Sequence, residues 1–343
     1  MSNVVCYGGY YSTGGSVIRD IFREFEPAFD FSIEFRLLKE RFGLFDLEDV
    51  LLRSYAPENI DLAIRDFSWL ATNLARKSGR FRKMGMSYDL RTNHVFSGAT
   101  KEFLDTISDY KYPMSWHFLE FEKGYAAQIA SRVAKRLSKD IRRKEGTYLA
   151  TLAYPGAENY FEAARKYLNT ILDGIRSVNG RGSSSLVGLH NAIPPFSTQL
   201  IDRGVGYFDS CKVIIVDRDP RDIFINYPKD SYGRYLPRTE DPVEKAKAFV
   251  HFFRATREDQ VVVRRHPKVL FLKFEDLCHN YDNLYDELLD FTGLDRSEHT
   301  HKRSLFEPEV SRKNIGMWRH RSGEMAKAVR YIEDQLPGFL YAT

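Results

Sequence analysis

In the stretch Lys212-Val213-Ile214-Ile215-Val216-Asp217-Arg218-Asp219-Pro220-Arg221-Asp222, an apolar β-branched run gives way at once to alternating charges and a proline. The run reads as a buried parallel strand, and the charges mark its C-terminal edge, where open α/β sheets hold their ligands. Arginine suits a phosphate or sulfate because its planar fork donates paired hydrogen bonds and keeps its charge. Arg218 and Arg221 therefore mark a candidate anion site. The same residues also suit a surface loop in which both arginines pair with Asp217, Asp219 and Asp222. Taken by itself, the stretch leaves both readings open.

Near the start of the chain, Val4-Val5-Cys6-Tyr7 reads as a first strand, followed by Gly8-Gly9-Tyr10-Tyr11-Ser12-Thr13-Gly14-Gly15-Ser16. Val17-Ile18-Arg19-Asp20-Ile21-Phe22 then shows helical spacing. A loop of glycines and hydroxyls between a strand and a helix leaves free backbone N–H groups, which can hold a phosphate or sulfate without a dedicated lysine. The nucleotide triphosphatase pattern ends in a lysine followed by serine or threonine. No lysine is present here, which argues against that class. A plain glycine turn remains the alternative for the loop alone.

The two segments together resemble the sulfotransferases that use 3′-phosphoadenosine 5′-phosphosulfate (PAPS). The family's GYPRSGTS-type loop aligns with Gly9-Tyr10-Tyr11-Ser12-Thr13-Gly14-Gly15-Ser16, which implies that Thr13, Gly14, Gly15 and Ser16 hold the 5′-phosphosulfate. Its RxPRD-type strand end aligns with Arg218. That arginine would bind the 3′-phosphate together with the residue eight positions on, a serine in the family and Asn226 here. The amide of Asn226 can still donate to a phosphate oxygen. Ser311-Arg312-Lys313-Asn314-Ile315-Gly316-Met317-Trp318-Arg319 resembles a shortened form of the family's RKGxxGDWK lid, with Arg312, Lys313 and Gly316 as the donor-binding members. Val269-Leu270-Phe271-Leu272-Lys273-Phe274-Glu275-Asp276-Leu277 is similar to the strand that ends in YEDL, with Glu275 and Asp276 as braces of the sheet edge. The resemblance covers residues 4–16, 186–226 and 269–319.

Sulfuryl transfer needs in-line alignment of acceptor, sulfur and leaving oxygen, together with stabilisation of the charge that builds there. It also needs a base within reach of the acceptor hydroxyl. Ser32-Ile33-Glu34-Phe35-Arg36 is similar to the GEETR segment of tyrosylprotein sulfotransferases, which implies Glu34 as the base and Arg36 as its partner. His190 and His117 are alternative bases. The chain departs from the family where Ser12 replaces an arginine or lysine and where Asn191-Ala192-Ile193-Pro194 lacks the lysine of an NKxP segment. Loss of one such donor typically costs ~10²–10³ in rate. Arg19 or Lys273 could substitute for it.

The implied architecture is a P-loop-type α/β fold, a central parallel sheet flanked by helices, with a helical acceptor-binding portion. Its 343 residues are compatible with one domain. Within it, residues 1–60 carry the phosphosulfate loop, 61–180 the helical portion, and 181–343 the 3′-phosphate site and lid. Helical spacing covers 62–76, 103–107, 125–141 and 160–175, and the cluster of glycine and serine at 179–185 ends this portion. Arg132, Lys135, Arg136, Lys139, Arg142 and Arg143 form a basic helix surface, either a solvated face or a seat for a polyanionic acceptor. A formal charge of +4 is too small to mark a nucleic-acid binder, and the nine histidines show no metal-ligand spacing, so no metal is expected. No apolar run reaches the roughly 18 residues of a membrane span, and the opening residues lack the basic and long apolar regions of a signal peptide. Cys6, Cys211 and Cys278 read as buried free thiols, which fits a cytoplasmic location.

The expected function is transfer of a sulfuryl group from PAPS to a hydroxyl of a carbohydrate or small-molecule acceptor, a polysaccharide included. A non-catalytic nucleotide-binding protein of the same fold is the alternative. A P-loop kinase is a third, which magnesium-dependent turnover of ATP would select.

Overall fold

The computed structural model describes residues 4–54, 56–77, 79, 85–114, 124–137, 148–180, 185–226 and 236–342. Its strands, in chain order, are β1 (Val4–Gly9), β2 (Ala28–Glu34), β3 (Tyr110–Met114), β4 (Tyr148–Leu152), β5 (Leu186–His190), β6 (Cys211–Asp217) and β7 (Val269–Lys273). Five of them form one parallel sheet in the order β2-β5-β1-β6-β7, and β3 and β4 form a separate antiparallel pair. The fold class is α/β, with the parallel sheet flanked by helices. Among the described residues no helix is long and apolar enough to cross a membrane.

The chain divides into two compact units. One comprises Met1–Lys39, Arg91–Asn93 and Ile171–Thr343, and the other Glu40–Leu90 and His94–Thr170. The first contains the five-stranded sheet. β6 is buried along most of its length, as expected for a strand covered on both faces, and its apolar run is what makes it legible in sequence. Val5 and Tyr7 of β1, Ile214 and Val216 of β6, and Leu270 and Leu272 of β7 form one core with Val17, Ile18, Ile21 and Phe22 of the Ser16–Phe22 helix. A second core joins Ile223 and Phe224 to the helices Pro242–Ala255 and Gly323–Gln335.

Strand order locates the ligand edge. β1 leads through its helix to β2 on one side, whereas β6 leads to β7 on the other. The chain therefore diverges beyond the C-terminal ends of β1 and β6, the kind of crevice in which open α/β sheets bind ligands. Register holds these ends level, with Gly9 opposite Val216.

The second unit is helical apart from its strand pair. Helices Leu44–Arg53, Pro57–Ala75, Phe96–Thr106 and Gly124–Leu137 precede Gly156–Val178, which crosses the unit boundary. Its core is aromatic, with Phe103 stacked on Tyr167 at 4.9 Å and Phe67 edge-on to Phe103. The expected helices all occur: those expected over 62–76, 103–107 and 160–175 are longer than expected, and the one expected over 125–141 is described as Gly124–Leu137, with 138–141 outside the described residues. The backbone at Arg132, Lys135 and Arg136 is helical, up to Leu137, whereas Lys139, Arg142, Arg143 and His117 lie outside the described residues. Strands β2, β3 and β4 are additions to the sequence reading. β3 carries Pro113, a residue that argues against strand in sequence and is tolerated on an edge.

Asp217, at the end of β6, is fully buried. It accepts from Arg257 at 2.8 Å, Gln260 at 2.8 Å and Lys273 at 3.1 Å. Burial alone would raise its carboxyl, but Arg257 and Lys273 overcome this and hold it well below the ordinary carboxylate range. The unfolded chain therefore binds this proton more readily than the folded one, so the stabilisation is complete at neutral pH and is lost as pH falls below the ordinary 3.8. Asp217→Ala leaves the buried Arg257 and the half-buried Lys273 uncompensated and is expected to cost about 3–5 kcal/mol in denaturant unfolding at neutral pH. The difference from wild type should shrink steadily in melts below about pH 4.

Candidate functional site

The loop after β1 turns back over its own strand. Tyr11, Ser12 and Gly14 have positive φ, and Gly14, at +90°, lies against the Phe274 ring so closely that a Cβ would come within 2.7 Å of it. A Cβ on Gly15 would come within 2.9 Å of the Gly8 backbone. Glycine is needed at both positions, at the first for conformation as well as space. Thr13 is buried, with its hydroxyl against Gly9. The first bonds of the following helix run from Val17 to Gly14 and from Ile18 to Gly15. None of the backbone N–H groups of residues 12–16 has an acceptor among the described residues. A row of free N–H groups in a tight loop can bind an anion through the backbone alone.

Arg218 follows β6. It is buried, its guanidinium lies 4.8 Å from the centre of the Phe274 ring, and one nitrogen donates to the carbonyl of Asn314. Its Nε is buried without a hydrogen-bond partner, and no carboxylate lies at ion-pair distance among the described residues. Burial pushes its pKa down, opposed by the negative charge of Asp222 and Glu275. A buried cation lacking a paired carboxylate is costly unless an anion arrives. Phe274 touches both Gly14 and Arg218, so the glycine loop and the arginine share one aromatic floor.

Arg221 differs. It forms a bidentate pair with Asp219 (2.6 and 2.9 Å), bonds Glu333 at 2.9 Å and stacks on Trp318 at 3.8 Å. Of the two arginines offered as an anion site, this one is committed to protein carboxylates.

The lid segment lies against the same edge. Asp222 accepts from the N–H groups of Gly316 at 2.7 Å and Met317 at 2.8 Å, and Gly316 adopts a left-handed conformation, φ +73°. The Gly316 N–H is thus occupied by Asp222. Arg312 bonds the carbonyl of Cys278 at 3.0 Å and Glu309 at 2.7 Å, while Lys313 is exposed. Asn226 ends the Pro220–Asn226 helix, half-buried. Glu275 accepts from the Asp219 N–H at 2.8 Å and so braces the turn that carries Arg218. Asp276 accepts from the Tyr341 hydroxyl at 2.6 Å.

On the other flank of β1, Glu34 ends β2. It accepts from Arg36 at 2.7 Å and from the Asn191 amide at 2.9 Å, and the Asn191 N–H donates to the Tyr7 carbonyl at 2.7 Å. Burial would raise the Glu34 carboxyl, but Asn191, Arg36 and Lys39 together lower it. It is therefore ionised at neutral pH and can accept a proton. His190 stacks on Tyr7 at 5.3 Å, and burial lowers its pKa, keeping the ring neutral. Ala192 is buried, Arg19 pairs with Asp20, and Lys273 is engaged by Asp217. Sequence reasoning did not identify Lys39, the Asn191 amide, the Asn314 carbonyl or the role of Phe274. No motif signals them, because their contacts span distant segments.

The second unit holds a groove of about 690 Å³ between helices Pro57–Ala75 and Phe96–Thr106. Buried Phe96 and Thr100 contribute to its lining, together with Arg65, Arg76 and the half-exposed indole of Trp69.

No family model matches the chain, and neither does any curated protein. Solved structures similar to it include the sulfotransferase domain from the curacin biosynthetic pathway, at 11% identity and a TM-score of 0.42 over 99% of both chains. The sulfotransferase domain of the Synechococcus PCC 7002 olefin synthase is similar at 11% identity and a TM-score of 0.38, over 96% of this chain and 92% of that one. Sulfotransferase STF9 from Mycobacterium avium is similar at 13% identity and a TM-score of 0.36, over 98% of this chain and 75% of that one.

The two arginines should separate on substitution. Arg221→Ala breaks a buried pair and is expected to lower unfolding free energy by about 3–5 kcal/mol. Arg218→Ala removes a buried charge with no paired carboxylate, and urea unfolding should show a change of roughly 1 kcal/mol or less. Equal losses would mean that Arg218 is as structural as its neighbour.

Proposed function

We infer that this protein transfers the sulfuryl group of PAPS to a hydroxyl of a carbohydrate or small-molecule acceptor. The observation that carries this reading is the shared Phe274 floor between a loop of free N–H groups and a buried arginine with an unpartnered Nε. A nucleotide with a phosphosulfate at one end and a phosphate at the other supplies an anion to each. The residues fit such a donor, since one anion site is neutral backbone and the other is cationic.

In this reading Ser12, Thr13, Gly14, Gly15 and Ser16 cradle the 5′-phosphosulfate. Arg218, with Asn226, Arg312, Lys313 and Gly316, surrounds the 3′-phosphate. Glu34 takes the proton of the acceptor hydroxyl, and the Asn191 amide and Arg36 hold its carboxylate in position. Arg36 and Lys39 are the cations that act on Glu34, and they offer positive charge on the acceptor side where Ser12 and Ala192 offer none. Positioning and electrostatics would then supply most of the rate, as in phosphoryl transfer.

Non-catalytic nucleotide binding is the second reading. It is favoured by the absence of a cation at Ser12 and Ala192 and by the engagement of Lys273 with Asp217.

Calorimetry with 3′-phosphoadenosine 5′-phosphate and with ADP tests donor binding. The 3′-phosphorylated nucleotide is expected to bind at least about tenfold more tightly, with Arg218→Ala losing about 1.5–3 kcal/mol of that affinity. Equal affinity for both nucleotides would sink the donor assignment. With radiolabelled PAPS and a panel of saccharide and small-molecule hydroxyls, Glu34→Gln should lower kcat by ~10²–10⁴ at unchanged nucleotide affinity. Binding with no transfer to any acceptor would select the second reading.

A further inference from the structure

Two polar atoms at the edge formed by β6 and β7 are buried without a hydrogen-bond partner among the described residues, Nε of Arg218 and Oε2 of Glu275. Both side chains are more than nine-tenths buried, Arg218 at 5% exposure and Glu275 at 0%. An orphaned buried donor and an orphaned buried acceptor each carry an unrecovered desolvation cost. One oxyanion can serve both only if Glu275 carries a proton, because a phosphate accepts from a carboxylic acid and repels a carboxylate.

We propose that Glu275, as a neutral acid, donates a hydrogen bond from Oε2 to the phosphate held at Arg218, so that binding a phosphate ester at this edge takes up a proton. This rests on the donor-binding reading above and gives Glu275 a specificity role beyond bracing the turn. Its Oε1 is occupied by the N–H of Asp219, the residue after Arg218, which holds the carboxyl against the turn and leaves Oε2 for a ligand. Burial pushes the carboxyl up to about 7, and a bound anion pushes it further in the same direction.

The charged neighbours are Lys273, which favours the carboxylate, Asp219, which favours the acid, and Arg218 itself. Cys278 and Tyr341 also face Glu275. Burial raises the thiol to about 12 and raises the phenol as well, so neither titrates near neutrality. Arg312 acts on Cys278, and Asp276 accepts from Tyr341. The other carboxylates that act on Arg218 are Asp222 and Asp219. Asp222 is also raised by burial, but both of its oxygens accept backbone N–H groups, and both Asp219 oxygens are taken by Arg221.

The test is calorimetry of the whole protein in buffers of different ionisation heat, with 3′-phosphoadenosine 5′-phosphate and separately with inorganic sulfate, which takes no proton in this range. Near pH 6 no proton should be taken up with either anion, and near pH 8 uptake should approach one, with affinity falling roughly tenfold per pH unit above that. Glu275→Gln keeps the shape and a donor, and with sulfate should show no uptake and no pH dependence of affinity, with folding checked by its melt. Absence of uptake by wild type near pH 8, or uptake that persists in Glu275→Gln, overturns the proposal; loss of that residual uptake in Asp222→Asn would assign the proton to Asp222. Uptake with sulfate but no preference for the 3′-phosphorylated nucleotide over ADP supports Glu275 and sinks the donor reading. If neither anion binds, both fall.

Discussion

Asp217 is the constraint on which the ligand edge depends. A fully buried carboxylate cannot remain ionised without partners, and its three partners come from two separate places: Arg257 and Gln260 beyond the Pro242–Ala255 helix, and Lys273 at the end of β7. Through this one side chain the ends of two strands and the segment that links them are held in a single arrangement. The next residue is Arg218. Its backbone position follows from a network that uses none of its own side-chain hydrogen bonds, and its guanidinium, which gives one bond to Asn314, keeps Nε for something else. Arg221, three residues on, is pinned by Asp219 and Glu333 and closes the other side of the turn.

The candidate site is a place where hydrogen-bond accounting does not close. Folded proteins pair nearly all their buried polar groups. Around Phe274 this one leaves a row of loop N–H groups, an arginine Nε and a glutamate oxygen unpaired among the described residues. The Asp217, Asp222 and Glu24 carboxylates show what complete pairing looks like in the same unit. Glu24, for instance, accepts from His299 at 2.7 Å and from the N–H groups of Leu305 and Phe306 at 2.8 Å each. Arg176 and Tyr281 each leave one buried side-chain atom unpaired as well, but at the diverging strand ends several such groups lie together, and that is what singles out this edge. Glu34 and Asn191 extend it along β2 and β5, with the carboxylate kept ionised by neighbours that also orient it.

Much of the fold was legible because its local signals agree. β1, β6 and β7 are short apolar runs ended by glycine or charge, and the helices of the second unit repeat apolar residues at helical spacing. The glycine loop was legible from composition, and Arg218 from its place after an apolar strand. β2, with buried Asp30 and exposed Ser32, has no such clean pattern, and its last residue, Glu34, was reached only through a motif likeness. The division of labour between Arg218 and Arg221 was not legible either. Both follow the same strand in the same run of charges, with the same carboxylates nearby; only the folded turn shows Asp219 turned to Arg221, with Glu333, over a hundred positions later, added to it.

The sequence by itself determined the elements and the kinds of chemistry they bring to a strand end, because helix, strand and turn preferences act over a few neighbouring residues. Tertiary structure alone decided which polar groups are used up and which are left over. That choice belongs to contacts between segments far apart in the chain, such as Phe274 beneath both Gly14 and Arg218, Asn314 on Arg218, and Asn191 on Glu34. Burial then sets the charge state of what remains, as it does for Glu275, and burial is a property of the packed whole.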